Sequence, residues 1–182
     1  MKTKFSGGFF SALLKKFFGK ESLFVNTYTN NSDEALSIVL SQSIVGDIEA
    51  LELEDSEICL QPGAYIAHTP GIDMGVAFAG FASWIAGEGL FKLKLKGQGT
   101  VFFGAYGGLT KKEISGDYVV DNGHLVAYEA NIRMGIRLAG GIFGSLTSGE
   151  GLVNKLKGDG TIYLQSRSVN SLVRFLRPKV PK

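Results

Sequence analysis

The chain has 182 residues, 45% of them apolar, which is enough for a buried core in one domain or in a fused set of small ones. Its 19 basic and 17 acidic residues leave a net charge of +2, without the concentrated basic excess that is typical of nucleic-acid-binding proteins. The single cysteine, Cys59, excludes an internal disulfide, and its apolar neighbours favour an inert buried thiol.

Apolar residues at helical spacing between Phe9 and Phe18 predict a short N-terminal helix. The first twenty residues contain five lysines and no acid, a composition shared with organelle-targeting segments. We favour a helix that belongs to the fold, because similar apolar segments recur twice later in the chain. No apolar run reaches the roughly 20 residues that a membrane-spanning helix needs, so none is predicted.

Short alternating segments predict strands through the middle of the chain. Leu51–Glu54 and Glu57–Leu60 lead to a turn at Pro62-Gly63, and Tyr65–Ala67 forms the next strand. Short strands at this spacing are typical of an all-β fold.

The segment Phe91–Lys96 alternates apolar residues with Lys92, Lys94 and Lys96, so we expect a strand with one buried face and three lysines in water. The glycines at 97 and 99 supply the backbone freedom of a tight reversal. Residues 100–103 are therefore predicted to return as the second strand of a hairpin.

The chain contains internal copies. Gly87–Phe91 returns as Gly149–Val153, a period of 62 residues (149 − 87), and the stretch from Gln61 returns from Asp121 with a period of 60 (121 − 61). A fainter copy, without its opening half, includes Glu21–Phe24. We expect repeats at about 1–46 (incomplete), 47–108 and 109–168, because such a period indicates one structural unit used repeatedly.

A second helix is predicted at the C-terminus, from Val169 to Leu176. Ser168 is its candidate N-cap, and Pro178 ends it. Residues 169–182 are thus a helix and a tail outside the repeats.

Together these motifs make the whole chain resemble the mitochondrial-biogenesis family called "altered inheritance of mitochondria" proteins. The resemblance implies a fold like that of the tryptophan RNA-binding attenuation protein, and it implies no accepted activity and no catalytic motif. The stretches that carry it are Gly87–Phe91, Lys96–Phe102, Asp121–Ala127, Gly149–Leu152, Tyr163–Arg167 and Phe175–Pro178.

The expected fold is therefore all-β, a single body over residues 1–182 with short N- and C-terminal helices. The resemblance implies three fused short double-stranded β-helix repeats around a pseudo-threefold axis. Family members usually have strands ahead of the position of Met1, so we expect a shortened first repeat or a start assigned too late. The consequence is a sheet edge without its usual neighbour, which is a docking or aggregation site unless something covers it.

The polar residue inventory predicts no catalytic residue, no metal site and no cofactor. His68 and His124 occupy different repeat positions, and no pair of histidines or cysteines has ligand spacing. An enzyme would need a converging polar pocket, which these residues do little to supply.

Three glutamates, Glu21, Glu88 and Glu150, recur at the same point of the three copies. Threefold symmetry would bring them around one axis, where a carboxylate ring could bind a cation. We favour a structural role, in which each carboxylate accepts from a backbone N–H or pairs with a lysine at the base of its hairpin.

An apolar segment precedes each predicted hairpin, and threefold symmetry would gather the three segments at one end of the body. The side chains could contact a membrane or a partner protein, aided by the N-terminal lysines, or they could turn inward and cap the core. The residues concerned are Phe10, Leu14, Phe17, Phe81, Trp84, Phe143 and Leu146.

The sequence thus predicts a non-enzymatic binding or scaffold protein that docks on a membrane surface or a partner protein and could form a homo-oligomer. The alternative is RNA or small-ligand binding by analogy with the attenuation-protein fold. Nucleic acid is unsupported, since the lysine face carries no aromatic partner for stacking. We expect a cytoplasmic protein of a prokaryote, peripheral to the membrane, or a mitochondrial protein if the source is eukaryotic.

Overall fold

The computed structural model describes residues 2–5, 24–78, 91–121, 123–138 and 152–179. These residues are mostly β and form open antiparallel sheets with one short α-helix, which confirms the predicted all-β class. The chain divides into two compact units, residues 1–41 and 42–182. The single body over residues 1–182 and the threefold arrangement stay predictions.

The first unit contains a two-stranded antiparallel ladder of β1 (Lys2–Phe5) and β2 (Phe24–Thr27). Residues 28–41 continue without helix or strand and expose several apolar side chains, namely Tyr28, Leu36, Ile38 and Val39. The predicted helix between Phe9 and Phe18 lies outside the described residues.

The second unit holds the other strands and the helix. In chain order they are β3 (Ile48–Leu60), β4 (Tyr65–His68), β5 (Ile72–Phe78), β6 (Phe91–Gly104), β7 (Leu109–Ile114), β8 (Asp117–Asp121), β9 (Leu125–Glu129), β10 (Arg133–Leu138), β11 (Leu152–Lys157), β12 (Gly160–Gln165) and α1 (Val169–Leu176). Among the described residues, one sheet has the strand order β4-β6-β3-β9-β12-β7, with β5 also paired to β6, and a second sheet has the order β10-β11-β8.

The second copy (47–108) and the third copy (109–168) share one strand pattern. In the second copy, β6 lies between β3 on one side and β4 followed by β5 on the other. In the third copy, β11 and β12 lie between β8 and β7 on one side and β10 and β9 on the other. The repeated sequence therefore folds into a repeated three-lane ladder.

The predicted hairpin at residues 97–99 is wrong. β6 runs through Gly97 and Gly99 as one strand, and both of its halves pair with β3. The two glycines have φ values of 132° and 149°, which allow a bend that stays in the ladder. A Cβ atom at Gly97 would overlap the carbonyl oxygen of Gly71, so glycine also permits the close approach of the segment that joins β4 to β5.

A bulge in β3 explains why the repeat period is not constant. The register of β3 against β6 shifts between Leu53 and Ser56, where Asp55 has a φ of 51°. The third copy keeps one register through β7 and β8. The offset between copies is 61 residues before the bulge (114 − 53) and 60 after it (120 − 60).

A short ladder, which we call the junction, joins the two copies. The end of β3 pairs antiparallel with β9, with Ile58 opposite Glu129, Cys59 opposite Tyr128 and Leu60 opposite Ala127. Main-chain hydrogen bonds continue it at both ends, from Gln61 N to Val126 O (2.9 Å) and from Ala130 N to Glu57 O (3.2 Å).

The core of the second unit lies under the alternating apolar residues of these strands. Leu93 and Leu95 are buried, as the alternation in β6 predicts, and so is Cys59. The rings of Phe103 and Tyr163 join the equivalent strands of the two copies edge to face, with centroids 5.1 Å apart. In the described ranges, no helix is long and apolar enough to cross a membrane.

Candidate functional site

The site residues predicted from the sequence all lie outside the described residues. They are the apolar contact residues Phe10, Leu14, Phe17, Phe81, Trp84, Phe143 and Leu146, and the glutamates Glu21, Glu88 and Glu150. Both the contact surface and the carboxylate ring stay predictions from the sequence.

His68 lies on β4 beside Tyr65, and the Tyr65 hydroxyl and the His68 Nδ1 share a hydrogen bond of 2.8 Å. A bulge between Tyr65 and Ala67 brings the two side chains to one side of the strand. Burial lowers the pKa of His68, while the nearby carboxylate of Asp73 raises it by a smaller amount. Burial also raises the pKa of Tyr65. Both residues are half-buried.

His124 has a structural role at the turn before β9. Its Nδ1 donates a hydrogen bond to the main-chain oxygen of Gln165 (2.8 Å). The Gln165 side chain donates to Gly123 O (2.6 Å) and accepts from Tyr106 N (2.9 Å). These bonds tie the end of β12 to two loops, and they leave His124 without a catalytic geometry.

Cys59 and Tyr128 face each other in the junction, and Lys92 lies beside them. Lys92 Nζ donates to the Tyr128 hydroxyl at 2.6 Å. Burial raises the pKa of the Cys59 thiol, and its hydrogen bond to Tyr128 opposes that shift. A raised pKa keeps the thiol protonated and unreactive, in agreement with the structural role predicted for Cys59.

The lysine face of β6 is not the uniformly solvated face that the alternation predicts. Lys92 is half-buried against Tyr128, since the junction brings a strand of the third copy beside β6. Lys94 pairs with Glu57 at 2.7 Å, and this hydrogen-bonded partner raises the pKa of Lys94. Lys96 is exposed, as predicted.

Within the described ranges, no group of three or more His, Cys, Asp or Glu side chains is arranged to hold a metal ion. The titratable residues described above have partners within the sheets, so their geometry is that of structural contacts.

The C-terminal helix α1 has a different character. It begins at the predicted N-cap, because Ser168 Oγ accepts from Ser171 N (3.4 Å), and none of its residues is buried. Its apolar side chains are between 39% and 62% exposed, and they are Val169, Leu172, Val173, Phe175 and Leu176. Four of them follow the i, i+3, i+4, i+7 spacing of a single helix face.

The start of α1 is held firmly to the sheet. Ser166 N donates to Gly108 O (2.9 Å), and Ser166 Oγ accepts from Gly108 N (2.8 Å). Arg167 N donates to Tyr106 O (3.1 Å), and Ser168 is buried. The helix thus leaves the sheet from a fixed point.

Positive charge is concentrated around α1. Residues 160–182 contain five basic residues and no acid: Arg167, Arg174, Arg177, Lys179 and Lys182. The rest of the chain therefore carries a net charge of −3 (+2 − 5). An exposed apolar face next to concentrated positive charge is the surface with the clearest functional character in the described residues.

Sequence reasoning predicted α1 correctly but did not include it among the site residues. The absence of any acid after Asp159 is the signal that could have identified it. Its exposure could not be predicted, because an amphipathic helix at the end of a domain usually packs its apolar face on the sheet.

The chain is similar to two streptococcal proteins. The uncharacterized protein M6_Spy0233 of Streptococcus pyogenes serotype M6 is 29% identical over 164 residues, which cover 88% of this chain and 65% of that protein. The crystal structure of protein SPYM3_0169 from Streptococcus pyogenes matches with a TM-score of 0.67 at 28% identity, over 77% of this chain and 63% of that one. The chain thus spans slightly less than two thirds of the length of each.

The sequence also matches a family described as mitochondrial biogenesis AIM24, over residues 1–167. This match confirms the resemblance seen in the repeated glycine motifs, and it ends just before α1. The chain belongs to the mitochondrial biogenesis AIM24 family.

Proposed function

We propose that the protein is a non-enzymatic binding or scaffold protein that docks on an anionic membrane surface through α1 and stays peripheral to the membrane. The observation that carries this proposal is the apolar face of α1, exposed in a region of five basic residues without an acid. Basic amphipathic helices of this kind lie in the interface of a bilayer, with their apolar side toward the acyl chains.

The length of α1 supports a surface as its binding partner. Eight residues make a helix about 12 Å long, which is too short to be stable alone in water. Transfer of its apolar face into a lipid interface would stabilise it, since burial of one leucine or phenylalanine side chain contributes about 1.5–3 kcal/mol.

The charges around the helix support an anionic surface. Arg174 lies in the last turn of α1, and Arg177 and Lys179 follow directly. Each basic residue near an anionic leaflet adds about 1 kcal/mol of attraction. A peptide-binding groove on a protein usually holds a longer helix with several anchors, so two turns fit a lipid interface better.

Co-sedimentation with vesicles tests the proposal. Full-length protein is mixed with vesicles of phosphatidylglycerol and phosphatidylcholine, or of phosphatidylcholine alone. We expect binding to the anionic vesicles, weakened by salt, and at least about tenfold weaker binding for a Leu172→Ser, Phe175→Ser variant. Val45→Ser with Ile48→Ser, which changes exposed apolar residues elsewhere, is the matched control.

A second pair of variants tests the charges. Arg174→Gln with Arg177→Gln should weaken binding to anionic vesicles by about 25-fold at low salt, since two charges contribute about 1 kcal/mol each. Lys111→Gln with Lys112→Gln removes the same charge from exposed positions on β7 and should have little effect. Equal binding of all variants, or no binding by the wild type, would contradict docking through α1.

RNA binding is the alternative function, and two contacts between basic residues and tyrosine rings bear on it. Lys112 lies over the ring of Tyr118 at 5.3 Å, and Arg167 lies near the ring of Tyr106 at 5.9 Å. A base stacks on a free aromatic face, whereas these half-buried rings already have a cation against them. Salt-sensitive retention of single-stranded RNA in a filter assay would favour this alternative.

The proposed architecture is a threefold arrangement of short double-stranded β-helix copies, as the attenuation-protein resemblance implies. It is supported by the matching ladders of the second and third copies, each with three lanes in the same spatial order. Such a body would present α1 from a rigid base.

A further inference from the structure

The junction between the second and third copies has two halves, and each half recurs once more in the second unit. The end of β3 supplies one half, and β8 is its equivalent in the third copy. β9 supplies the other half, and β4 is its equivalent in the second copy. In the described sheets, both β8 and β4 are edge strands.

The β8 half is exposed where its equivalent is covered. Val119 occupies the position of Cys59, and it is 58% exposed whereas Cys59 is 7% exposed. The surroundings of this half are otherwise alike in the two copies. Lys155 pairs with Asp117 at 2.6 Å across β11 and β8, as Lys94 pairs with Glu57 across β6 and β3.

The β4 half differs from β9 in the same sense. Ala67 and His68 are half-buried, whereas Ala127 and Tyr128 at the equivalent positions are fully buried, with exposures of 0% and 4%. β4 and β9 share the same register irregularity against their neighbours, so their backbones follow the same path. The missing cover is the counterpart of β3.

We propose that the protein self-associates head to tail, with the β8 edge of one molecule pairing with the β4 edge of a second copy in the geometry of the internal junction. One chain carries both complementary halves, so the same contact can repeat from molecule to molecule. Unpaired strand edges are ready templates for such pairing. The contact is heterologous, so it produces a ring if the rotation closes and a filament if it does not.

The internal junction defines the register of the new contact. Moving both strands by 60 residues places Tyr118 opposite Thr69, Val119 opposite His68 and Val120 opposite Ala67. The bond from Gln61 N to Val126 O becomes one from Asp121 N to Ile66 O. The bond from Ala130 N to Glu57 O has no counterpart, because Pro70 replaces Ala130 and has no N–H.

The side chains near the contact are compatible with it. Lys92, which donates to Tyr128 at the internal junction, is replaced by Val153 at the equivalent position of β11. Val119 and Val153 would therefore approach His68 with apolar surface. Only a few residue pairs meet, fewer than in a stable interface of about 1,200 Å² or more, so we expect weak, concentration-dependent association.

Cysteine cross-linking tests the register directly. In a Cys59→Val background, protein with Val119→Cys is mixed with protein carrying His68→Cys, and disulfide dimers are measured on a non-reducing gel. By alternation from the printed end bonds, these two positions form a hydrogen-bonded pair with Cα atoms about 5.5 Å apart, within disulfide range. Ala67→Cys, one residue away and on the opposite face, is the matched control.

We expect the Val119–His68 cysteine pair to give at least tenfold more heterodimer than the Val119–Ala67 pair. Sedimentation velocity of the wild type should show larger species as concentration rises, and Val119→Lys should remove them. Circular dichroism checks that each variant folds. The change to lysine blocks edge pairing without touching the core, because Val119 is exposed.

Three results would overturn the inference. They are a wild type that is monomeric at every concentration reached, dimers that form equally well through both cysteine pairs, and dimers that persist in Val119→Lys but disappear in Leu172→Ser with Phe175→Ser. The last result would indicate association through α1. These outcomes are separate from vesicle binding, so strand pairing and membrane docking can fail independently.

Discussion

Cys59 and Val119 occupy equivalent positions in two copies of one ladder, and they differ in exposure from 7% to 58%. The difference has one source, since β9 covers the end of β3 and no strand of the described sheets covers β8 on that side. The burial of a residue in this protein is thus decided by the neighbouring copy as much as by its own strand.

The first prediction concerns the reactivity of these two positions. Cys59 should react with a thiol reagent at least about tenfold more slowly in the native protein than in denaturant, because burial raises its pKa and excludes the reagent. A cysteine at position 119 in the Cys59→Val background should react rapidly in dilute solution. Equal rates at the two positions would contradict the exposures, and absorbance with a chromogenic disulfide measures both.

The second prediction concerns the bend in β6. Gly97→Ala should lower the free energy of unfolding by about 2 kcal/mol or more, because the residue has a φ of 132° and a Cβ atom would meet the Gly71 carbonyl. Gly135→Ala on β10 is the control, since its Cβ would enter open space, and it should be close to neutral. Urea denaturation measures both. Similar stability of the two variants would contradict a requirement for glycine at the bend.

The third prediction concerns the contact between Lys92 and Tyr128. Tyr128→Phe and Lys92→Met should each lower the free energy of unfolding by about 1–2 kcal/mol, since a buried hydroxyl with a charged donor loses its bond. A double-mutant cycle should show coupling between the two changes. Lys96→Met, on the same face of β6 but exposed, should change stability little. Additive single effects would indicate that the hydrogen bond contributes nothing.

The fourth prediction concerns pH. Burial holds the pKa of His68 below its ordinary value of 6.5, so at mildly acidic pH the unfolded chain binds a proton that the folded protein does not. Stability from this group is fully present above pH 6.5 and is lost as the pH falls toward the folded pKa.

The midpoint of thermal unfolding should therefore fall between pH 7.5 and pH 5.5 by more in the wild type than in His68→Phe, which removes the titrating group. His124→Phe serves as a comparison at the other histidine. A larger fall for His68→Phe than for the wild type would reverse the sign and exclude a lowered pKa.

Several features followed from the sequence alone. Alternation at period two predicted the strands and their buried faces, because side chains of a strand point to opposite sides. The N-cap serine, the apolar spacing and the proline after the helix predicted α1 with its bounds at Val169 and Leu176. The apolar neighbours of Cys59 predicted its burial, and the repeated glycine motifs indicated the family.

Other features were decided only by the tertiary structure. Glycines with positive φ occur both in reversals and in bends, and it is the continuous pairing with β3 that makes 97–99 a bend. Lys92 reads as a solvated lysine, but the junction places Tyr128 beside it from 36 positions along the chain. Val119 and Cys59 lie in similar local sequences, and only the presence or absence of a neighbouring strand separates them. Local patterns determine strands and their faces, whereas long-range pairing determines which faces and edges remain exposed, because that pairing joins residues whose sequence separation no local pattern records.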